Sequence, residues 1–326
     1  MPGADSRLAY LGPDGTFTHE AALRWAREPR AARMTLVPVR TVADVYDGVG
    51  SGAFTHGVVA IENSVEGYVV PSLDAIVSAE NVVAVDETFV EITFDAFARP
   101  GSAGPVTQVT SHPHGLAQCQ RFVTARDLVP VPATSNAAAC RDVQDGQLAL
   151  GPRLCGELYG LETVERGVED FHGARTRFLL VTSRDAAAGA RPTATAGDSW
   201  RTMLAITPHV TGPGVLARIT QAFGALGVNL SSLITRPVKA LEGRYVFIVT
   251  VDGAPWDAGV RGVLEGLLVA GDSLKTLGVF PARGELEGSV DAHRVPTGSV
   301  RLDASGAVLD RGLLWASATT DGEGVS

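Results

Sequence analysis

Three stretches of the 326-residue chain place hydrogen-bonding side chains where the backbone must turn. Tyr10 to His19 reads YLGPDGTFTH, a strand end, a Gly-rich turn and a helix start, with Phe17, Ala21 and Trp25 on the following helical face. Such a turn aims backbone N–H groups at an anion. It has neither the GxGxxG fingerprint nor the GK(S/T) of a phosphate loop, so a plain structural turn explains it equally well. Glu62-Asn63-Ser64 closes the apolar run Val58-Val59-Ala60-Ile61, and three such side chains after a buried strand have few structural uses. Thr176-Arg177-Phe178 leads into the apolar run Leu179 to Val181. Alone it says little, since Arg can pair with a surface carboxylate and Thr can cap a helix.

Other chemistries find little support. His19, His112, His114 and His172 lack metal-ligand spacing, and no Ser or Cys nucleophile stands near a base in sequence. Cys119, Cys140 and Cys155 show no CxxC pairing and read as three reduced thiols of a cytoplasmic protein. With 27 basic against 36 acidic residues, a net charge of −9, the chain is not a general nucleic-acid binder. An anionic ligand must then meet a local set of donors. The start, MPGADSRLAY, lacks the pattern of a secretory signal, and no apolar run approaches the roughly 20 residues of a membrane span. The expectation is a soluble protein.

The elements that must position these residues follow from periodicity. From Tyr10 to about Val181, β-rich runs alternate with stretches of helical period, as in an α/β domain with a largely parallel sheet. Val106 to Thr110 reads as a strand running into Ser111-His112-Pro113, after which Leu116, Cys119 and Val123 recur at helical spacing. Gln147 to Leu150 reads as another strand. Polar clusters just beyond strand ends are the usual ligand positions of open α/β sheets. Ser183 to Ser199 has little to pack and reads as a linker. From Trp200 the pattern is a strand (Met203 to Thr207), a Gly-Pro-Gly turn at Gly212 to Gly214, and a helix with Leu216, Ile219, Phe223 and Leu226 on one face, stopped by Gly227. With a further strand at Tyr245 to Val251, this suggests a small ferredoxin-like α+β sandwich. The domains are expected at 1–182, a linker at 183–199, 200–284, and a largely disordered tail at 285–326.

The motifs LGPDGTFTHEAA, AIENSVEGYVVPSLDAI, SHPHGLAQCQRFV, LYGL and TRFLLV occur in that order. Over residues 8–182 the chain thereby resembles the prephenate dehydratase family, and residues 200–284 resemble the ACT domain of its bacterial two-domain form. The resemblance implies an α/β, two-lobed, periplasmic-binding-protein-like catalytic domain, with a second lobe at about 80–172, plus a ferredoxin-like ACT regulatory domain. It implies a cofactor-free, metal-free carbon–oxygen lyase of L-phenylalanine biosynthesis, turning prephenate into phenylpyruvate with loss of carbon dioxide and water. On the family pattern Thr176 donates to the leaving hydroxyl with Arg177 beside it. Thr16, Thr18, Glu62, Asn63, Ser64, Ser111, Gln118 and Phe178 hold or surround the substrate. L-Phenylalanine or another aromatic amino acid is the implied effector, bound by Gly214, Val215, Leu216, Ala217, Thr235, Arg236 and Pro237. ACT sheets usually pair, which implies a homodimer or homotetramer; neither nucleic acid nor membrane is an expected partner.

The chain departs from the family pattern at Ala60, Tyr68, His114, Phe94 and Ala174, the last where an asparagine is usual. Tyr68 puts a phenol where a small residue is preferred. Ile234-Thr235-Arg236-Pro237 stands where the effector motif ESRP is usual, with Ile234 in place of the glutamate. Gain of Tyr68 and loss of an asparagine near Thr176 would suit an alternative, a prephenate decarboxylase that keeps the ring hydroxyl and protonates the ring. A second alternative is a non-catalytic sensor that binds prephenate or an amino acid.

Overall fold

A computed structural model describes residues 6–27, 34–102, 104–189, 199–237 and 245–284. The expected tail at 285–326, most of the expected linker and residues 238–244 lie outside them. The first lobe begins with β1 (Ser6–Leu11), α1 (Phe17–Ala26), β2 (Met34–Val39), α2 (Val42–Gly50) and β3 (His56–Asn63). A short β4 (Gly67–Tyr68), α3 (Val70–Ser78) and the long β5 (Val82–Glu91) follow. Thr16 caps α1 by accepting from the His19 N–H, and α2 opens with a reciprocal capping box between Thr41 and Asp44.

The second lobe holds β6 (Asp95–Ala98), β7 (Gln108–Ser111), α4 (Pro113–Gln118), α5 (Gln120–Ala125) and β8 (Val129–Pro132). It continues through α6 (Asn136–Arg141), β9 (Gln147–Gly151), α7 (Leu154–Tyr159) and β10 (Glu162–Glu165). The chain returns to the first lobe in β11 (Arg175–Ser183) and enters α8 (Arg184–Gly189), so part of the expected linker is helical. The C-terminal segment consists of β12 (Trp200–Thr207), α9 (Val215–Ala225), β13 (Leu230–Pro237), β14 (Tyr245–Asp252), α10 (Ala258–Val269) and β15 (Ser273–Pro281), the βαββαβ order expected.

Among the described residues the strands form two sheets. The second lobe's runs β10-β6-β9-β7-β8. The other runs β13-β14-β12-β15-β5-β11-β3-β1-β2, so the ACT strands and the first lobe share one sheet. The expectation of a largely parallel sheet fails here. β2, β1 and β3 are parallel, but β11 lies antiparallel to both β3 and β5, because it returns from the second lobe at the opposite end. The junction between ACT and first-lobe strands is the parallel pair β15 and β5 at Gly278 and Ala84. A Cβ on Gly278 would stand 2.7 Å from that of Ala84, so only glycine allows the approach.

Alternation along β11 sorts its side chains to two cores. Phe178 and Leu180 pack with Leu8, Tyr10, Ala21 and Trp25 on the α1 side, whereas Leu179 and Val181 join Val45, Ile76, Met203, Ile248 and Phe280 on the side of the ACT sheet. The α9 face is narrower than its spacing suggests: Ile219 and Phe223 are buried, but Leu216 and Leu226 are exposed.

Candidate active site

Strand β11 brings Thr176 opposite Asn63 of β3. The pairing register shifts between Arg177 and Phe178, where Phe178 faces Ala60 and Arg177 faces Glu62, leaving Ile61 as an extra residue. This bulge reverses the alternation of β3, so Asn63 comes to the same face as Thr176 while Glu62 stays on the face of Ile61. The Asn63 Nδ2 donates to Thr176 Oγ1 at 2.9 Å. Its Oδ1 accepts from the N–H groups of Val65 and Glu66 at 2.8 and 2.9 Å, which fixes the orientation of the amide. Ser64 completes the corner, its Oγ accepting from the Arg175 N–H at 3.0 Å.

The loop that follows reaches the second lobe. Gln118 donates through Nε2 to Glu66 Oε1 at 2.6 Å, and His114 Nδ1 lies 3.3 Å from Glu66 Oε2. Thr176, Asn63, Ser64 and Gln118 are thus brought to one cluster. Glu66 joins it although its sequence signal was only its place three residues beyond Asn63. On the α1 side, Tyr159 of α7 donates to the Asp14 carbonyl at 2.5 Å and the Cys155 thiol to the Gly15 carbonyl at 3.3 Å, docking the Gly-rich turn on the second lobe.

The remaining expected residues take other places. Thr16 spends its hydroxyl on the His19 cap at 3.1 Å and on the Leu11 carbonyl at 3.3 Å, and Thr18 is buried in α1. Ser111 was expected to hold or surround the substrate, but it is fully buried. Its hydroxyl reaches the Leu150 carbonyl at 2.7 Å and the Asn136 Oδ1 at 2.9 Å. Asn136 also accepts from the His112 N–H at 3.1 Å, and nothing in its surroundings in sequence marked it. Phe178 is a core residue at 1% exposure, so its contribution is packing beneath the site.

Arg177 lies on the opposite face of β11 from Thr176. Its Nε donates to Glu87 at 2.6 Å, its Nη1 lies 3.4 Å from Glu62, and its guanidinium sits over the Phe280 ring of β15. The Arg177 charge is met by the chain's own carboxylates.

Tyr68, the phenol where a small residue is preferred, lies on the side of the sheet away from the cleft. It packs on the core shared with Ile234 and Met203, with Glu62 and Ser232 near its phenol, and burial pushes the phenol up to about 12. Phe94 meets Phe17 edge-on at 5.5 Å, and Ala174 is buried beside it in the same second-lobe core. Of the unusual positions quoted, His114 alone contacts the cluster, through Glu66.

In the C-terminal segment Gly214, at φ 85°, starts α9 with Val215, Leu216 and Ala217 in its first turn. Thr235, Arg236 and Pro237 end the edge strand β13. Arg236 makes a bidentate pair with Asp74 of α3 at 2.8 and 2.9 Å, so the altered effector motif also docks on the first lobe.

Comparison with known proteins follows this division. The family described as prephenate dehydratase matches residues 8–186, and the ACT domain matches residues 210–266. A prephenate dehydratase of Corynebacterium glutamicum is 33% identical over 289 residues, covering 86% of this chain and 90% of that one. The chain belongs to the prephenate dehydratase family. Among solved structures, an Arthrobacter aurescens prephenate dehydratase in complex with L-phenylalanine is 32% identical with a TM-score of 0.74, over 88% of this chain and 94% of that one. A family fold also carries other chemistry: a protein described as a novel type of quorum-quenching acylase is 26% identical, with a TM-score of 0.71 over 85% of this chain and 98% of that one. No described helix is long and apolar enough to cross a membrane.

Proposed function

We propose that the chain is a prephenate dehydratase, a carbon–oxygen lyase that converts prephenate to phenylpyruvate, carbon dioxide and water, with an aromatic amino acid acting at the ACT domain. The observation that carries this reading is the Asn63–Thr176 pair. Because Asn63 donates to Thr176 Oγ1, the threonine's own proton is left to point elsewhere, toward a leaving hydroxyl. In one event the ring C–O bond and the ring carboxyl C–C bond break, electrons from the latter enter the ring, and the hydroxyl takes a proton, passed through the Thr176 hydroxyl and restored from solvent, to depart as water. Aromatisation supplies the driving force, so the protein's task is to hold the substrate and assist that departure. A neutral threonine is a poor acid by pKa. Its effect comes from position and a polarised hydrogen bond.

Thr176 is the catalytic residue of this proposal; Asn63 positions it, Ser64 and Gln118 line the substrate's surroundings, and Thr18 is buried in α1. Thr16, Glu62, Ser111 and Phe178 support that set from behind. The non-aromatising decarboxylase leaned on Tyr68 as an added proton source, and its phenol lies on the ACT side of β4. The protein is read as acting in the cytoplasm as a homo-oligomer formed through its ACT sheet, whose β13 is an edge strand.

Purified protein incubated with prephenate at neutral pH tests the reading, acid being avoided because prephenate aromatises in it. Phenylpyruvate as product supports it. A retained hydroxydiene makes the chain a decarboxylase, and tight binding without product makes it a sensor.

A further inference from the structure

The side of β11 turned away from the cleft carries a chain of buried polar groups for which substrate chemistry has no use. Glu87 of β5 has a side chain at 0% exposure and binds two arginines, Arg177 Nε at 2.6 Å and Arg201 Nη1 at 2.8 Å. Arg177 belongs to the catalytic strand, whereas Arg201 belongs to β12 of the ACT segment. The same carboxylate accepts from the Arg283 N–H at 2.9 Å, just past β15. Glu62 is the second carboxylate on Arg177, and Tyr68, paired with Glu62 across β3 and β4, has its phenol near both Glu62 and Ser232 of β13. Two separate routes from the ACT sheet therefore end on the two acidic partners of one arginine.

What that arginine can influence follows from backbone adjacency. Arg177 is bonded in sequence to Thr176, and its partner Glu62 to Asn63. Arg177 and Glu62 also face each other across the bulge that aims Asn63 at Thr176. We propose that Arg177 is a positioning residue clamped between Glu62 and Glu87, through which Arg201 and Ser232 of the ACT sheet hold the Thr176–Asn63 pair in register. The catalytic side of this inference rests on the function proposed above, while the mechanical side does not. A shift of the ACT strands draws on Glu87 through Arg201 and on Glu62 through Tyr68. Both pulls reach the hydrogen bond that orients the Thr176 hydroxyl, and a displacement of an ångström at such a group costs on the order of a hundredfold in rate.

The experiment uses the full chain with Arg201→Met and Ser232→Ala, two changes on the ACT sheet away from the cleft, and Arg201→Lys as the conservative control. Amide hydrogen exchange at residues 62–66 and 175–177 is measured together with kcat and KM for prephenate. Expected is exchange at those amides faster by roughly fivefold or more in the first two variants, set against the second lobe as an internal reference. In Arg201→Met kcat falls about tenfold with KM within about twofold, and Arg201→Lys recovers most of both. Unchanged exchange at those amides overturns the proposal, as does a rise spread evenly over the chain, which would mark Arg201 as merely structural. Arg177→Lys raising KM with kcat unchanged also overturns it, since the guanidinium would then be meeting substrate. If the wild type forms no phenylpyruvate, the function proposed above fails, and the exchange measurement still decides this inference.

Discussion

The two faces of β11 solve opposite problems with adjacent residues. On the α1 face, Thr176 is held by one neutral hydrogen bond from Asn63, and the loop beyond is tied across the cleft by the exposed side chains of Gln118 and Glu66. On the ACT face, Arg177 is held in a buried setting by two carboxylates of the chain, Glu62 and Glu87, and its buried Nη2 has no hydrogen-bond partner among the described residues. The difference teaches that a motif read as one catalytic unit is split by strand geometry into a reactive half and a supporting half. A site that turns over needs groups whose bonds can be exchanged for bonds to substrate. A support needs the reverse.

The sharpest break of this comparison is Thr176→Ala. Loss of the donor should lower kcat by about 10²–10⁴-fold, with KM changed by no more than about threefold and stability by about 1 kcal/mol or less. Steady-state kinetics with a denaturant titration check it, and unchanged kcat would remove Thr176 from the mechanism. On the other face the balance inverts. Glu87→Gln leaves Arg177 and Arg201 facing each other without their shared anion, and loss of one partner from such a buried set costs about 3–5 kcal/mol. A fall of the urea midpoint of that size is expected, and a loss below about 1 kcal/mol would mean that the two arginines find other partners.

How much of this was legible in sequence depends on what each residue's neighbours are. β3, β9, β12 and β14 were readable because apolar runs bounded by turns leave few options. Asn63 and Thr176 were found because polar residues at the end of a buried strand stand out. The bulge at Ile61 was not readable, since it depends on the register between strands more than 100 residues apart, and without it Asn63 and Glu62 exchange faces. Arg177 was placed beside the leaving hydroxyl for the same reason: its motif adjacency to Thr176 was visible, but the side of the sheet on which it lies was not. Glu87 was missed outright, because in VVAVDETFVE it looks like a solvent-facing break in a strand until Arg201 covers it.

A smaller test concerns the exposed contact across the cleft. Gln118→Ala removes a donor to Glu66 that bridges the lobes, and such exposed polar pairs contribute about 0.2–1 kcal/mol. A KM increase of roughly twofold to fivefold is expected with kcat nearly kept. A kcat loss approaching that of Thr176→Ala would place Gln118 in the chemistry instead of at the rim.

The smallest effect separates the two faces by pH. His19 lies in the first turn of α1 against the Gly-rich turn, stacked on Tyr10 at 4.9 Å, with its Nδ1 accepting from the Gly15 N–H at 2.9 Å. Burial lowers its pKa against a weaker upward pull from Asp14, and burial lowers those of His56 and His112 as well. With folded pKa values below the unfolded value of about 6.5, the unfolded chain takes up these protons first. Stability is therefore full above about pH 7 and declines as pH drops through about 6.5 toward the folded values. Urea midpoints at pH 7.5 and 5.5 should show this decline. His19→Gln, which keeps an acceptor for the Gly15 N–H and cannot be protonated, should make it shallower. Asp272 answers in a lower window: burial pushes its carboxyl up, but Arg218 and the His209 N–H outweigh this and hold it below its usual value, so its share is lost only below about pH 4. If His19→Gln leaves the decline between pH 7.5 and 5.5 unchanged, the Gly-rich turn does not carry it, and His56 or His112 must.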